Sequence, residues 1–206
     1  MRKLGWITSS CILIIGLASQ LSGQPVQSRA ADVIEGLNNA FVESMKSGDE
    51  LDFSGRYVLL EPVIKNSFDF VYILRKVTGR YWKDMDENQR KTLLDNYTAW
   101  TISKYAQRFH QYTGQSFEVV SETEFRPQVM SVKSNLIKAN QEIIEFNYFL
   151  LENKGSWRIV DIQVSGVSQL ALNRSQFKQV LKDEGFQGLN EGLKEKVEEL
   201  SSSGKN

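Results

Sequence analysis

At Gly114 the spacing of apolar residues changes from every third or fourth position to every second, a break that few architectures accommodate. Downstream, residues 116–124, 129–138, 142–152 and 157–164 read as four strands joined by short connections such as Ala139-Asn140 and Asn153-Lys154-Gly155. Consecutive strands with tight turns imply an antiparallel meander. In the third strand Ile144, Phe146, Tyr148 and Leu150 form the inward set, alternating with Ile143, Glu145, Asn147 and Phe149. In the fourth, Val160, Ile162 and Val164 share the core face, while Trp157, Ile159 and Asp161 cover the other, so that strand belongs inside a sheet. Ser165 and Gly166 end it.

Upstream of Gly114 the period is helical. Val33, Leu37, Ala40, Phe41 and Met45 form one apolar stripe, with Asp32 as N-cap and Ser47-Gly48 as the stop. Residues 54–63 form a second, shorter helix, closed at the Glu61-Pro62 step because a residue before proline avoids helical geometry. Between residues 67 and 79 the apolar side chains cover most of the circumference, so that helix must be enclosed or face something apolar other than protein. Residues 86–112 form the longest helix, where Asp86 and Gln89 make a capping box and Leu93, Leu94, Tyr97, Trp100, Thr101, Tyr105 and Phe109 line one stripe. Beyond the strands, Phe177, Val180 and Leu181 mark a helix from residue 175 that Gly185 stops. Helices followed by strands give an α+β fold: N-terminal helices gathered on one side of a four-stranded antiparallel meander, with a C-terminal helix pair.

The first 31 residues read as a cleaved export signal, with Arg2 and Lys3 at the start, an apolar stretch from Ile12 to Ala18, and Ala30-Ala31 at the cut; an earlier cut near Gly23 also fits. Its apolar core is shorter than the roughly 20 residues that span a bilayer. Cys11, the chain's single cysteine, precedes the most apolar part and makes a poor lipoprotein signal. The mature chain reads as one domain over residues 32–200 with a disordered tail at 201–206, free of disulfides and thiolate metal sites. Of 25 basic and 25 acidic side chains, the signal removes three basic ones, leaving 22 against 25. That balance argues against nucleic acid as partner.

Catalytic motifs are absent: no phosphate loop, no Ser-His-Asp set, no histidine-rich metal spacing. His110 is the sole histidine and is expected at the helix surface. Asp161 is costly to bury unpaired, and Arg174, Arg158 or Lys133 could supply a partner; the expectation is an Asp161–Arg174 ion pair pinning the loop at 166–168.

Several linked stretches share one likeness. Gly155, Trp157, Arg158, Ile159, Asp161, then Gly166, Val167, Ser168, then Asn173 to Phe177 resemble the MlaC family of periplasmic phospholipid-binding proteins. So do Arg56, Tyr57, Leu60 to Val63, Phe68 to Phe70, Gly79 to Trp82 and Asp183 to Phe186 with Leu189, in the same order along nearly all of the mature chain. Gln169-Leu170-Ala171 resembles the hopanoid-associated branch, leaving phospholipid and hopanoid both open as cargo.

The resemblance implies a lipid-filled cavity between helices and sheet, with no cofactor and no reaction. Each methylene kept from water is worth about 0.8 kcal/mol, so a chain of about 16 carbons needs an escort across an aqueous gap. The expected lining is Phe70, Ile73, Leu74, Tyr105, Phe109, Val132, Phe146, Tyr148, Ile162, Val164, Val167 and Leu170, with the head group at the mouth and no charged clamp. The resemblance further implies a periplasmic monomer handing lipid between an outer-membrane lipoprotein complex and an inner-membrane ABC transporter. Two other readings are an enzyme using Asp161 or Glu145 as base with a tyrosine donor, and a lipid-free adaptor of an ABC transporter.

Overall fold

The computed structural model describes residues 29–48 and 50–203. Residues 1–28 of the expected export signal, Cys11 among them, lie outside the described residues; Arg29, Ala30 and Ala31 are described, and both alanines are buried. Five helices precede the sheet: α1 (Ala30–Lys46), α2 (Phe53–Ser67), α3 (Phe70–Thr78), the single turn α4 (Tyr81–Asp84) and α5 (Glu87–Arg108). Strands β1 (Ser116–Arg126), β2 (Val129–Ile137), β3 (Ile143–Asn153), β4 (Ser156–Val164) and β5 (Val167–Ser168) come next, then α6 (Gln169–Asp183) and α7 (Gly185–Ser203). The fold is α+β, and the sheet runs β1-β2-β3-β4-β5, antiparallel throughout.

The sheet has five strands rather than four. Ser165 and Gly166 both take positive φ, 49° and 82°, so the chain turns back in two residues and pairs Val167 with Val164 and Ser168 with Gln163. Strict alternation also fails once in β4. Phe149 pairs with Asp161 but Leu150 pairs with Ile159, so Val160 is bulged and Ile159 swings onto the core face beside Ile162 and Val164. In β3 the inward set is as expected, with Phe146, Tyr148 and Leu150 buried.

The helix boundaries shift where side chains intervene. The first helix begins at Ala30, and Asp32 sits inside its first turn, accepting a hydrogen bond from the Arg29 N–H at 2.9 Å. Glu122 of β1 holds that start to the sheet, accepting from the Ala31 N–H at 3.1 Å and from Arg29 Nε at 3.2 Å. α2 runs through Pro62 to Ser67; Val58, whose carbonyl loses its helical partner there, is 66% exposed, so water can replace the missing bond. α3 is one-sided rather than apolar all round, since it buries Phe70, Ile73, Leu74 and Val77 and exposes Val71. Phe68 lies outside that helix, forming a parallel bridge with Ile159. The capping box at Asp86 and Gln89 is present, at 2.8 and 2.9 Å. α5 stops at Arg108 instead of residue 112, because the Phe109 carbonyl accepts from Ser44 Oγ at 2.8 Å and its ring turns into the core. α6 begins at Gln169 rather than 175, with Ser168 as its cap; the exposed Leu172 hides its period in the sequence. α7 continues through Ser203, into the segment read as a tail.

Asp161 is a tie point, but its partners are not cations. Its Oδ1 accepts from the Ile162 N–H at 2.8 Å and the Leu170 N–H at 3.0 Å, and its Oδ2 from Ser168 Oγ at 2.7 Å. Arg174 is exposed on α6 and makes no ion pair with it. Arg158 instead donates to the carbonyls of Lys65 and Asn66. The carboxylate thus closes the β4–β5 turn and starts α6 through two backbone N–H groups and a serine hydroxyl, which need no second charge. Asp161→Ala is expected to cost roughly 2–4 kcal/mol in urea unfolding and Asp161→Asn about 1 kcal/mol, because the amide keeps an acceptor for both N–H groups.

Candidate lipid-binding cavity

The long α5 has two kinds of neighbour. On its α1 side stiff rings fill the space: Phe41 stacks on Tyr105 with centroids 4.8 Å apart and on Phe109 at 4.3 Å, and Phe109 meets Phe117 edge-on at 5.8 Å. Between α3, α5, α6, α7 and β4 the layers stand apart around a cavity of about 370 Å³. Its floor is buried and apolar, formed by Phe68, Phe70, Ile73, Tyr97, Phe146, Ile159 and Ile162. Half-buried Tyr105, Val164, Leu170 and Leu200 continue the wall outward.

Of the twelve residues expected at the lining, Phe70, Ile73, Tyr105, Phe146, Ile162, Val164 and Leu170 border the cavity. The others lie elsewhere. Leu74, Phe109, Val132 and Tyr148 are in the packed core, at most 3% exposed, and Val167 is 50% exposed on β5. Alternation identifies the core face of a strand but not whether protein or empty space lies opposite, which is why Val132 and Tyr148 could not be separated from Ile162 by pattern alone.

Polar groups take the same inward-to-outward order. Tyr97, at the floor, has its hydroxyl bonded by Asn173 Nδ2 at 3.0 Å, and the Thr101 hydroxyl returns to the Tyr97 carbonyl at 2.9 Å. Burial raises the pKa of Tyr97, Tyr105 and Tyr148. Farther out on α5, Lys104 and Arg108 are the two cations of the lining, and Arg108 is its one exposed member. Lys104 Nζ lies 4.1 Å from the Trp100 ring centroid. Desolvation, and to a lesser degree the charge of Arg108, lower its pKa to about 8. The expected lining named no charged side chain, and Lys104 and Arg108 are additions to it. The signal was available, since positions 97, 101, 104 and 108 share the three-to-four spacing of the aromatic stripe.

The catalytic alternatives fare differently from the lining. Glu145 is exposed on the outer face of β3, and the Asp161 carboxylate is occupied by three donors. His110 is exposed, with Nδ1 2.7 Å from the Gln107 carbonyl. Among the described residues no group of three or more His, Cys, Asp or Glu is placed to hold a metal, and no helix is long and apolar enough to cross a membrane.

The family model described as MlaC protein matches residues 35–195. The intermembrane phospholipid transport system binding protein MlaC of Haemophilus influenzae is 25% identical over 138 residues, 63% of this chain; the matched part spans 64% of that relative's length. A phospholipid-binding protein of Ralstonia solanacearum, solved in complex with a phospholipid, has the same fold: TM-score 0.72 at 19% identity, covering 85% of this chain and 98% of that one.

Lys104 makes the stability of the fold sensitive to pH. Folded Lys104 gives up its proton near pH 8 while an unfolded lysine does so near 10.5, so across that interval the unfolded chain binds more protons and stability climbs with pH. The buried tyrosines reverse the trend above their ordinary pKa of 10.0. Lipid-free protein is therefore expected to gain stability between about pH 8 and pH 10, as urea midpoints would record, and Lys104→Met should flatten that rise.

Proposed function

This chain belongs to the MlaC family, and from that premise we propose that it is a periplasmic carrier that moves a phospholipid between the outer and inner membranes. The observation that carries the reading is the cavity's polarity order: buried rings and aliphatic side chains at the floor, half-buried side chains along the wall, an exposed arginine at the mouth. An amphiphile fits such a gradient tail first, because every methylene inserted removes apolar area from water while the head group stays toward the mouth. The names of the relatives support the same reading, one as a component of an intermembrane phospholipid transport system and one as a phospholipid-binding protein.

The carrier acts as a monomer and as the substrate-binding component of an ABC-type lipid transport system. It receives or delivers lipid at an outer-membrane lipoprotein complex and an inner-membrane ABC transporter complex, and it catalyses no reaction. Export by a cleaved signal puts it between the membranes. About 370 Å³ lies near the lower end of the roughly 300–1,000 Å³ typical of small-molecule sites, so a two-chain lipid must spread the walls. Leu170 and Leu200 lie on separate helices, α6 and α7, so the wall they share is not one rigid element.

Native mass spectrometry of protein taken from cells is expected to show one lipid adduct per chain; a lipid-free adaptor would fly bare. Val164→Asp, at a half-buried wall position, should keep the fold and lower loading at least roughly tenfold, since a carboxylate would have to be buried against the tail. Tyr148→Asp, in the packed core, should instead abolish soluble protein. Equal loading of wild type and Val164→Asp would overturn the placement of the tail.

A further inference from the structure

Lys104 and Arg108 stand one turn apart on α5, an arrangement of like charges that weakens a helix unless an anion lies between them. Neither makes an ion pair among the described residues. The one carboxylate in the lining, Asp161, is already engaged by three donors. Gln107 belongs to the same stretch of the lining and keeps a buried amide oxygen, Oε1, without a donor. Three polar side chains within about one turn of α5, two of them cationic and one with a buried oxygen lacking a donor, suit a ligand that is anionic and also carries a donor.

We infer that Lys104 and Arg108 seat the phosphate of the lipid head group, with Gln107 Oε1 receiving a hydroxyl or ammonium hydrogen from the group beyond it. This rests on the carrier reading and adds to it the side chains that take the phosphate. The level of the seat sets how far the tails reach, since the phosphate stops at the half-buried Lys104 while the chains continue to the floor at Tyr97 and Ile73. Lys104 is suited to this position because the Trp100 face supports its charge from one side and leaves the ammonium hydrogens free on the other.

The test is a competition on delipidated mature protein. Phosphatidylglycerol and diacylglycerol with identical acyl chains are offered at equal concentration in a neutral detergent, and the bound adducts are counted by native mass spectrometry. Wild type is expected to prefer phosphatidylglycerol by roughly tenfold or more, the scale of two charge-assisted contacts. In the double variant Lys104→Gln/Arg108→Gln the ratio should fall to near one while diacylglycerol loading stays at the wild-type level, which also reports an intact fold. Arg108→Gln alone, at an exposed position, should lower the ratio at least roughly threefold, and Lys104→Arg should retain it. Equal loading of the two lipids by wild type, or an unchanged ratio in the variants, overturns the phosphate seat and leaves the carrier standing. Failure of wild type to load either lipid overturns both. Excess inorganic phosphate should leave the preference intact, because the free ion lacks the apolar anchor; erasure of the preference would assign the seat to free phosphate instead.

Discussion

A cluster of stiff aromatic rings fills the space between the helical layer and the sheet at one end of the core. Phe41, Tyr105, Phe109 and Phe117 stack or meet edge-on between α1, α5 and β1, and a flat ring cannot be compressed as a chain of methylenes can be repacked. Tyr105 belongs both to this wedge and to the cavity wall, so the packed end of the core and the open end share one residue. Beside the wedge, the cavity bordered by α3, α5, α6, α7 and β4 is lined mainly by apolar side chains, with Lys104, Gln107, Arg108, Asp161 and Gln169 among its polar members.

Such an opening lowers stability unless the walls are tied elsewhere, and the ties here are polar. Arg56, buried on α2, donates from Nε to the Ala106 carbonyl of α5 at 3.1 Å. Asn38 of α1 reaches Ser134 Oγ on β2 at 3.0 Å, and Asn96 of α5 bonds Asn190 of α7 at 2.8 Å. Asp161 collects the end of β4, the β5 turn and the start of α6. Directional bonds fix the spacing between elements without filling the volume between them, which hydrophobic contact cannot do. The empty cavity is thus a property of the scaffold, and the cations along α5 give it a polarity that runs from floor to mouth.

Much of the fold was legible in the residues. The change of period at Gly114, the capping box at Asp86 and Gln89, the inward set of β3 and the stop at Gly185 each rest on interactions within a few residues, so local pattern carries them. The family was readable from linked motifs in order. What escaped was set by contacts across the fold. Ser44 ends α5 from another helix, the exposure of Val58 lets α2 pass through Pro62, and Asp161 found backbone donors where a cation was expected.

By itself the sequence determined an α+β chain with a continuous apolar face on its helices and strands, since the period of side chains sets their direction. Tertiary structure alone decided which parts of that face meet protein and which meet empty space, as in the separation of Tyr148 from Ile162 and of Leu74 from Ile73. Direction comes from local geometry, whereas the distance to the opposite wall depends on rings, bulges and hydrogen bonds contributed by residues far away in the chain, of which the bulge at Val160 is the clearest case.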